Sequence, residues 1–365
     1  MCATKKLSEI CEIVNWWTPD TWNSSYWDGD ILWITPKDMW KLEDVYVSDT
    51  FRKITEKWLK NSSAKLFPQN SIILSSRAPI WHLAINTVPM CTNQGCKWLI
   101  PWKDLDAKYS YYFLLNSVDL LNSLWTGTTF KELSSTKLKE IQIPLPPLST
   151  QLAIVARLDS AMVEIDEARR QTKSALASAR EVWESTLESV FAGGGEGWEG
   201  KRFDEVCVLQ RWYDLPTHER KEGTFALVSS NGITDRIDQY KVKAPWVVTW
   251  RSWTIWNVHF IDEDFWPLNT ALYIKDFHWN NEKCVFYFLK QFNLGKYSSW
   301  AGVPTLNRNN VHCERVSFPP IPEQSRIVAH LDAVRAETES LERLYREKFA
   351  SLDELRRSIL QEAFS

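Results

Sequence analysis

One phrase, written twice, constrains this chain more than any other feature. LPPLSTQLAIVARLD at 145–159 returns as FPPIPEQSRIVAHLD at 318–332, an offset of 173. The register pairs Pro146-Pro147 with Pro319-Pro320, Gln151 with Gln324, Ile154-Val155-Ala156 with Ile327-Val328-Ala329, and Leu158-Asp159 with Leu331-Asp332. It continues without a gap to Phe191 opposite Phe364. An ungapped match of this length marks a duplication, and two copies make a tandem pair rather than a solenoid.

Each copy opens a helix. The Pro-rich IPLPPL blocks helix, and Ser149 or Thr150 can cap the segment after it. From Gln151 to Phe191 there is no Gly or Pro, which predicts one helix of about forty residues, roughly 60 Å long. AGGGEGWEG at 192–200 reads as a flexible linker. The second helix carries Leu331, Val334, Thr338, Leu341, Tyr345, Leu352, Leu355 and Ile359 at heptad spacing, with Lys348 interrupting. The first has Leu158, Ala161, Ile165, Ala168, Thr172, Ala179, Val182 and Thr186, with Ala175 at the interruption. One seam is bulky and the other small, so the two helices suit pairing with each other better than either suits itself.

The segments before the helices also correspond. SIILSSR is a β-branched run that predicts a buried strand, and AKYSYYFLLNSVDLLNSL has helical periodicity in Tyr112, Leu115, Val118 and Leu121. In the second half WVVTWRSWTIW answers SIILSSRAPIW, with Ile255 opposite Ile80 and Trp256 opposite Trp81 at an offset of 175. EKCVFYFLKQF answers the Tyr-rich helix, and Asn269 stands opposite Asn93. The predicted class is α+β: two globular heads, each followed by a proline hinge and a long helix.

Composition narrows the function. A chain of 365 residues has room for two or three cored domains, and no secretory signal or spanning apolar run is present, so a cytoplasmic protein is expected. The seven cysteines lack CxxC spacing and predict reduced, mostly buried thiols. A net charge of −3 argues against a freestanding nucleic-acid binder, though not against one that borrows positive surface from a partner. No phosphate loop, dinucleotide fingerprint, nucleophile elbow or HExxH occurs, and the histidines His82, His218, His259, His278, His312 and His330 are scattered. The double prolines stand between apolar residues, without the acceptor and aromatic that would hold a methylatable amine, so they are hinges. A non-catalytic binding scaffold with two similar heads is the reading; a coiled-coil adaptor with protein- or peptide-binding heads is the alternative.

The repeated PPxxxQxxIVAxLD with its long helix, and the opening TPDT…YWDGDILWITPKDM, resemble the specificity subunit of type I restriction-modification systems over essentially the whole chain. The resemblance implies target recognition domains at 1–145 and 198–318, a linker at 192–200, and conserved helical regions at 146–191 and 319–365 that pair as an antiparallel coiled coil. It implies double-stranded DNA with a bipartite site as the ligand, two methylation subunits and restriction subunits as partners, and no membrane. It implies no cofactor on this chain: S-adenosylmethionine, ATP and Mg belong to the partner subunits. Polar residues flanking the strand-like runs are the expected DNA contacts. In the first head these are Thr18, Asp20, Thr21, Tyr26, Arg77 and Asn93; in the second, Arg211, Tyr213, Arg251, Ser252, Asn269 and Thr270. Arg and Asn offer bidentate pairing to guanine and adenine; the other role open to Asn93 and Asn269 is capping internal turns.

The departure from the family pattern is tryptophan. There are 21 Trp and 12 Gly, where glycine usage is ordinarily about 7%. Trp16, Trp17, Trp22, Trp40, Trp81, Trp98, Trp125, Trp212, Trp246, Trp250, Trp253, Trp256, Trp279 and Trp300 stand where turn logic and the family expect small residues, usually glycine. Base-stacking aromatics would be the functional account, but duplex readers rarely need so many. A chain altered at glycine positions accounts for the pattern better.

Overall fold

The computed structural model describes residues 3–14, 23–42, 44–62, 65–77, 82–126, 132–211, 215–229, 232–250, 258–268, 271–299 and 305–365. It divides into two units, Met1–Gln171 with Lys348–Ser365, and Thr172–Glu347.

In the first unit a five-stranded sheet runs in the order Cys11–Val14, Cys96–Pro101, Ile72–Ser75, Leu83–Asn86, Tyr46–Val47. All neighbours are antiparallel except the last pair. Ile72–Ser75 is buried along its whole length, as its unbroken β-branched run predicts for a central strand. A second sheet sets Trp27–Ile34 between Arg52–Ile54, antiparallel, and Cys91–Thr92, parallel. The Tyr-rich segment forms two helices, Ala107–Asn116 and Val118–Ser123, rather than one. The break is at Ser117, whose hydroxyl donates back to the Phe113 carbonyl at 2.8 Å, a local bond that competes with helix continuation.

The second unit repeats this plan. Its four-stranded sheet runs Val208–Arg211, Ala271–Asp276, Trp246–Trp250, Val258–Ile261, all antiparallel. Its second sheet sets Glu222–Ser229 between Gly232–Ile237, antiparallel, and Phe265–Pro267, parallel. Helix Glu282–Gln291 stands where Ala107–Asn116 stands in the first unit, and the N-caps Asp106 and Asn281 each accept a backbone N–H of the first turn.

The first long helix is Leu148–Ala192 and the second Ile321–Phe364. Each starts directly after its proline pair, so Ser149 and Thr150 lie inside the first turn and are not caps, contrary to the sequence expectation. The start is fixed instead by the glutamine of the repeated phrase. Gln151 is fully buried; its Oε1 accepts the Asp106 N–H at 2.9 Å and its Nε2 donates to the Asp104 and Pro146 carbonyls, both at 2.9 Å. Gln324 does the same in the second unit, accepting from the Asn281 N–H at 2.8 Å and donating to the Asn280 side chain at 2.7 Å and the Pro319 carbonyl at 2.9 Å. The aspartate of the phrase adds a second tie. Asp159 accepts from the Tyr112 hydroxyl at 2.6 Å and Lys108 Nζ at 2.8 Å; Asp332 accepts from Tyr287 at 2.5 Å and Lys283 at 2.7 Å. Burial and the adjacent carboxylate push both phenols up, so they remain donors.

Each head also receives the end of the other helix. In the first unit Leu360 is buried in one apolar cluster with Val155, Leu158 and Met162, and the Phe364 ring meets Tyr109 and Phe113 at 5.2 and 5.6 Å. In the second, Leu187 and Phe191 share a cluster with Ile327 and Leu331, and Phe191 meets Phe288 at 5.8 Å. Burying each such side chain stabilises by about 1.5–3 kcal/mol. Ion pairs confirm the antiparallel sense within each unit, Arg169 with Asp353 in the first and Arg180 with Glu342 at 2.9 Å in the second.

The expected seam holds at Leu158, Ile165, Thr172 and Ala179, which are buried seven residues apart. It fails at Val182 and Leu355, which are 55% and 47% exposed. Past Ala179 the apolar face moves to Trp183 and Leu187, because the Trp183 ring packs edge-on to Tyr287 at 5.8 Å with the Arg335 guanidinium over it. Beside the Lys348 interruption the Arg169 guanidinium lies over the half-buried Phe349 ring.

Candidate nucleic-acid interface

Of the expected contact residues, Tyr26, Arg77, Asn93 and Arg211 are described; Thr18, Asp20, Thr21, Tyr213, Arg251, Ser252, Asn269 and Thr270 lie outside the described residues. Tyr26 packs against the cluster of Trp33, Ile54, Trp58 and Cys91, and its carbonyl accepts the Thr55 N–H at 3.0 Å. Asn93 Oδ1 accepts the Gly95 N–H at 2.9 Å, the turn-capping role.

Arg77 follows the central strand Ile72–Ser75. Its Nε lies 3.6 Å from Glu132, whose other oxygen lies 3.5 Å from Lys97 Nζ. Lys97 is only 2% exposed, and burial holds its ammonium below the ordinary lysine value against the pull of Glu132. The buried lysine thus fixes Glu132, and Glu132 orients Arg77, which is half exposed. Arg211 ends Val208–Arg211 opposite Leu272 and is exposed.

The sequence reading missed a basic hollow beside Asn93. A cavity of about 480 Å³ is lined by Lys37, Lys41 and Arg52 with Thr35, Asp38 and Asn93. The one acid among these accepts from the Thr35 N–H and hydroxyl at 2.9 and 2.6 Å, closing a capping box. Phe51 at its edge is 89% exposed. Three cations around an exposed aromatic suit a nucleic-acid backbone and base. The TPKDMWK run carried the only sequence signal, two lysines four residues apart.

A family profile described as the type I restriction modification DNA specificity domain matches residues 2–174 and again 195–347. The chain belongs to the type I restriction-modification specificity family. It is 33% identical over 231 residues to the specificity subunit of type I restriction enzyme MjaIX of Methanocaldococcus jannaschii, an alignment covering 59% of this chain and 54% of that relative. It is 24% identical over 362 residues to the EcoprrI specificity subunit of Escherichia coli, covering 94% and 90%. A structure solved in a study of complex assembly and conformational transition of the type I R-M system superposes with a TM-score of 0.83 at 19% identity, over 99% of this chain and 97% of that one. The HsdS subunit from Thermoanaerobacter tengcongensis gives 0.61 at 19%, over 99% and 96%. At such identity these two show the shared fold.

In this specificity-family chain the titratable core groups are structural. Among the described residues no group of three or more His, Cys, Asp or Glu could hold a metal ion, and no helix is long and apolar enough to cross a membrane. Burial pushes the thiols of Cys11, Cys91, Cys96 and Cys284 up to about 12, far from the reactive range. His312 Nε2 accepts the Leu209 N–H at 3.0 Å, so that nitrogen is unprotonated; burial holds the ring below its ordinary value although Asp204 pulls the other way. Burial also lowers His82, and burial with Lys290 lowers His259.

Proton linkage makes these histidines a source of pH-dependent stability. As pH falls through the unfolded value near ~6.5, the unfolded chain takes up protons that the folded chain refuses. The stability these histidines contribute is present above that pH and is lost below it. The thermal midpoint is expected to drop between about pH 7.5 and about pH 5.5, with a smaller drop in the His312→Gln chain; an unchanged slope in that variant would contradict the assignment.

Proposed function

We propose that this chain is the non-catalytic sequence-specificity subunit of a type I restriction-modification enzyme. Residues 1–145 and 198–318 are the two target recognition domains, each reading one half of a bipartite DNA site. The helical regions 146–191 and 319–365, with the linker 192–200, join them and dock two methylation subunits and the restriction subunits. S-adenosylmethionine, ATP and Mg act on those partners. The observation that carries the reading is the doubled head: two units of one fold, each tied to its long helix by the same glutamine and aspartate. Two equivalent heads are what a two-part target requires, and two equivalent helical regions present the same docking surface twice.

The net charge of −3 sets the test. Specific DNA affinity usually rests on a strong phosphate contribution, which a net negative chain does not supply as a whole and partner subunits would add to its local basic hollow. In a gel-shift assay the isolated chain is expected to bind weakly, and the complex with two methylation subunits tightly and at one bipartite sequence. Within that complex Arg77, Asn93, Arg211, Arg251, Ser252 and Asn269 are proposed contacts, and Arg251→Ala should weaken binding without changing the fold. A complex that ignores DNA sequence would rule out the reading and favour an adaptor; undiminished affinity and specificity in Arg251→Ala would remove that residue from the interface.

A further inference from the structure

The tryptophans of this chain fall into two kinds. Trp27, Trp183 and Trp266 are engaged as tryptophan usually is, with Arg52, Arg335 and Lys241 over their rings at 4.7, 5.3 and 5.2 Å. Others among the described residues lack such a partner for the ring, or the backbone to match. Trp279 sits in the turn after Ala271–Asp276 with φ of +68°, and it is 94% exposed. That left-handed backbone is free to glycine and strained for a residue with a Cβ. Trp58 and Trp98 are fully enclosed, and their indole N–H groups have no hydrogen-bond partner. Trp98 also stacks on Phe67, centroids 4.0 Å apart and planes 11° from parallel. Trp33 and Trp266 share the missing N–H partner, so that feature alone does not sort the two kinds.

The duplication adds two corresponding pairs. Trp81 and Trp256 occupy one place in the two halves at an offset of 175, and so do Trp125 and Trp300, each two residues before a glycine, Gly127 and Gly302. Two of the glycines that remain are required by close backbone approach. A Cβ on Gly29 would lie 2.4 Å from the Ile54 carbonyl oxygen, and one on Gly223 2.3 Å from that of Ile237. Both stand at the register shift of the same strand pair in their own unit. Drift at a glycine site admits Ala, Ser or Asn first, since they are small or tolerate the turn. A repeated exchange to the largest side chain has the signature of a codon.

We infer that one codon read as tryptophan in this sequence is read as glycine by the cell that makes the protein. Positions 81, 98, 125, 256, 279 and 300 carry it, and Trp27, Trp183 and Trp266 are true tryptophans. The stop codon UGA is the candidate, being one base from the tryptophan codon UGG and one base from the glycine codon GGA. The inference stands on backbone, burial and composition, independently of the DNA-reading proposal. Its consequence for that proposal is direct, because Trp81 and Trp250–Trp256 flank or enclose Arg77 and Arg251, and glycine there lets the backbone approach a ligand closely.

Peptide mass mapping of the chain purified from cells that carry the gene decides the matter. Trypsin releases Asp276–Lys283, which contains position 279, and Glu181–Lys201, which contains Trp183 and Trp198. The expected masses are those of glycine at 279 and tryptophan at 183; tryptophan at 279 overturns the inference, and so does glycine at 183. A second measurement uses the chain as written beside one carrying Trp98→Gly and Trp279→Gly. Large-to-small changes in a core normally lower the melting temperature. Here the glycine form should melt higher, and a lower melting temperature would count against glycine at these sites.

Discussion

Replacing Gln324 by leucine is expected to destabilise the second unit by about 3 kcal/mol or more, out of proportion to a change that nearly preserves volume. Gln324 is 1% exposed and makes three hydrogen bonds, to the Asn281 N–H, the Asn280 side chain and the Pro319 carbonyl. Leucine leaves all three groups without that partner, and each buried polar group so orphaned costs about 1–3 kcal/mol. The Asn281 N–H is the critical one, because Asn281 caps helix Glu282–Gln291 through the Lys283 and Cys284 amides. Loss of the glutamine therefore loosens the long helix and the head helix together. Gln151→Leu should do the same in the first unit through Asp106. Urea unfolding checks this, with Arg326→Ala, 81% exposed at its side chain, as a control expected to shift little. A Gln324→Leu chain within about 1 kcal/mol of the parent would mean that the repeated glutamine is not a clamp.

The repeat made the two-unit plan, the long helices and their pairing legible, because periodicity and duplication are local properties of a sequence. The work done by the repeated phrase was not legible in it. Gln151 reaches a carbonyl at Asp104 and Asp159 reaches a hydroxyl on Tyr112. These partners are more than forty residues away, and no local pattern announces them. The heptad was right where small and branched residues met across the seam. It failed where an aromatic ring redirected the contact: Trp183, one residue past the expected Val182, finds Tyr287 on the head. Among the candidate DNA contacts, polarity and position beside a strand did not separate Arg77, held at the surface by Glu132, from Tyr26, which faces a satellite core. Lys37, Lys41 and Arg52 were missed because the chain brings them together from either side of a strand connection rather than in one run. Burial of Lys97 was hidden too, since lysine in a strand reads as solvent-facing until its neighbours are known.

The second large effect concerns the distance between half-sites. On the proposed reading the two long helices, each of which contributes residues to both units, set the separation of the half-sites. Four residues inserted after Ala168, matched by four after Asp353 on the facing stretch of the second helix, keep the antiparallel register set by Arg169 with Asp353 and Arg180 with Glu342. The insertion adds about 6 Å of rise and roughly 40° beyond a full turn. In a heptad pattern four residues make a stutter, which locally unwinds a coiled coil without abolishing it. At about 3.4 Å per base pair the added rise corresponds to between one and two base pairs. The lengthened chain, assembled with methylation subunits, is therefore expected to lose methylation at the parent site. It should gain methylation at sites with the same two half-sequences and a spacer longer by one or two base pairs. Methylation mapping of genomic DNA from cells carrying either chain reads both quantities at once. A changed half-sequence with an unchanged spacer would show that the helices do not set the separation. Retention of the parent site would show that the recognition domains position themselves on DNA independently of the helices that join them.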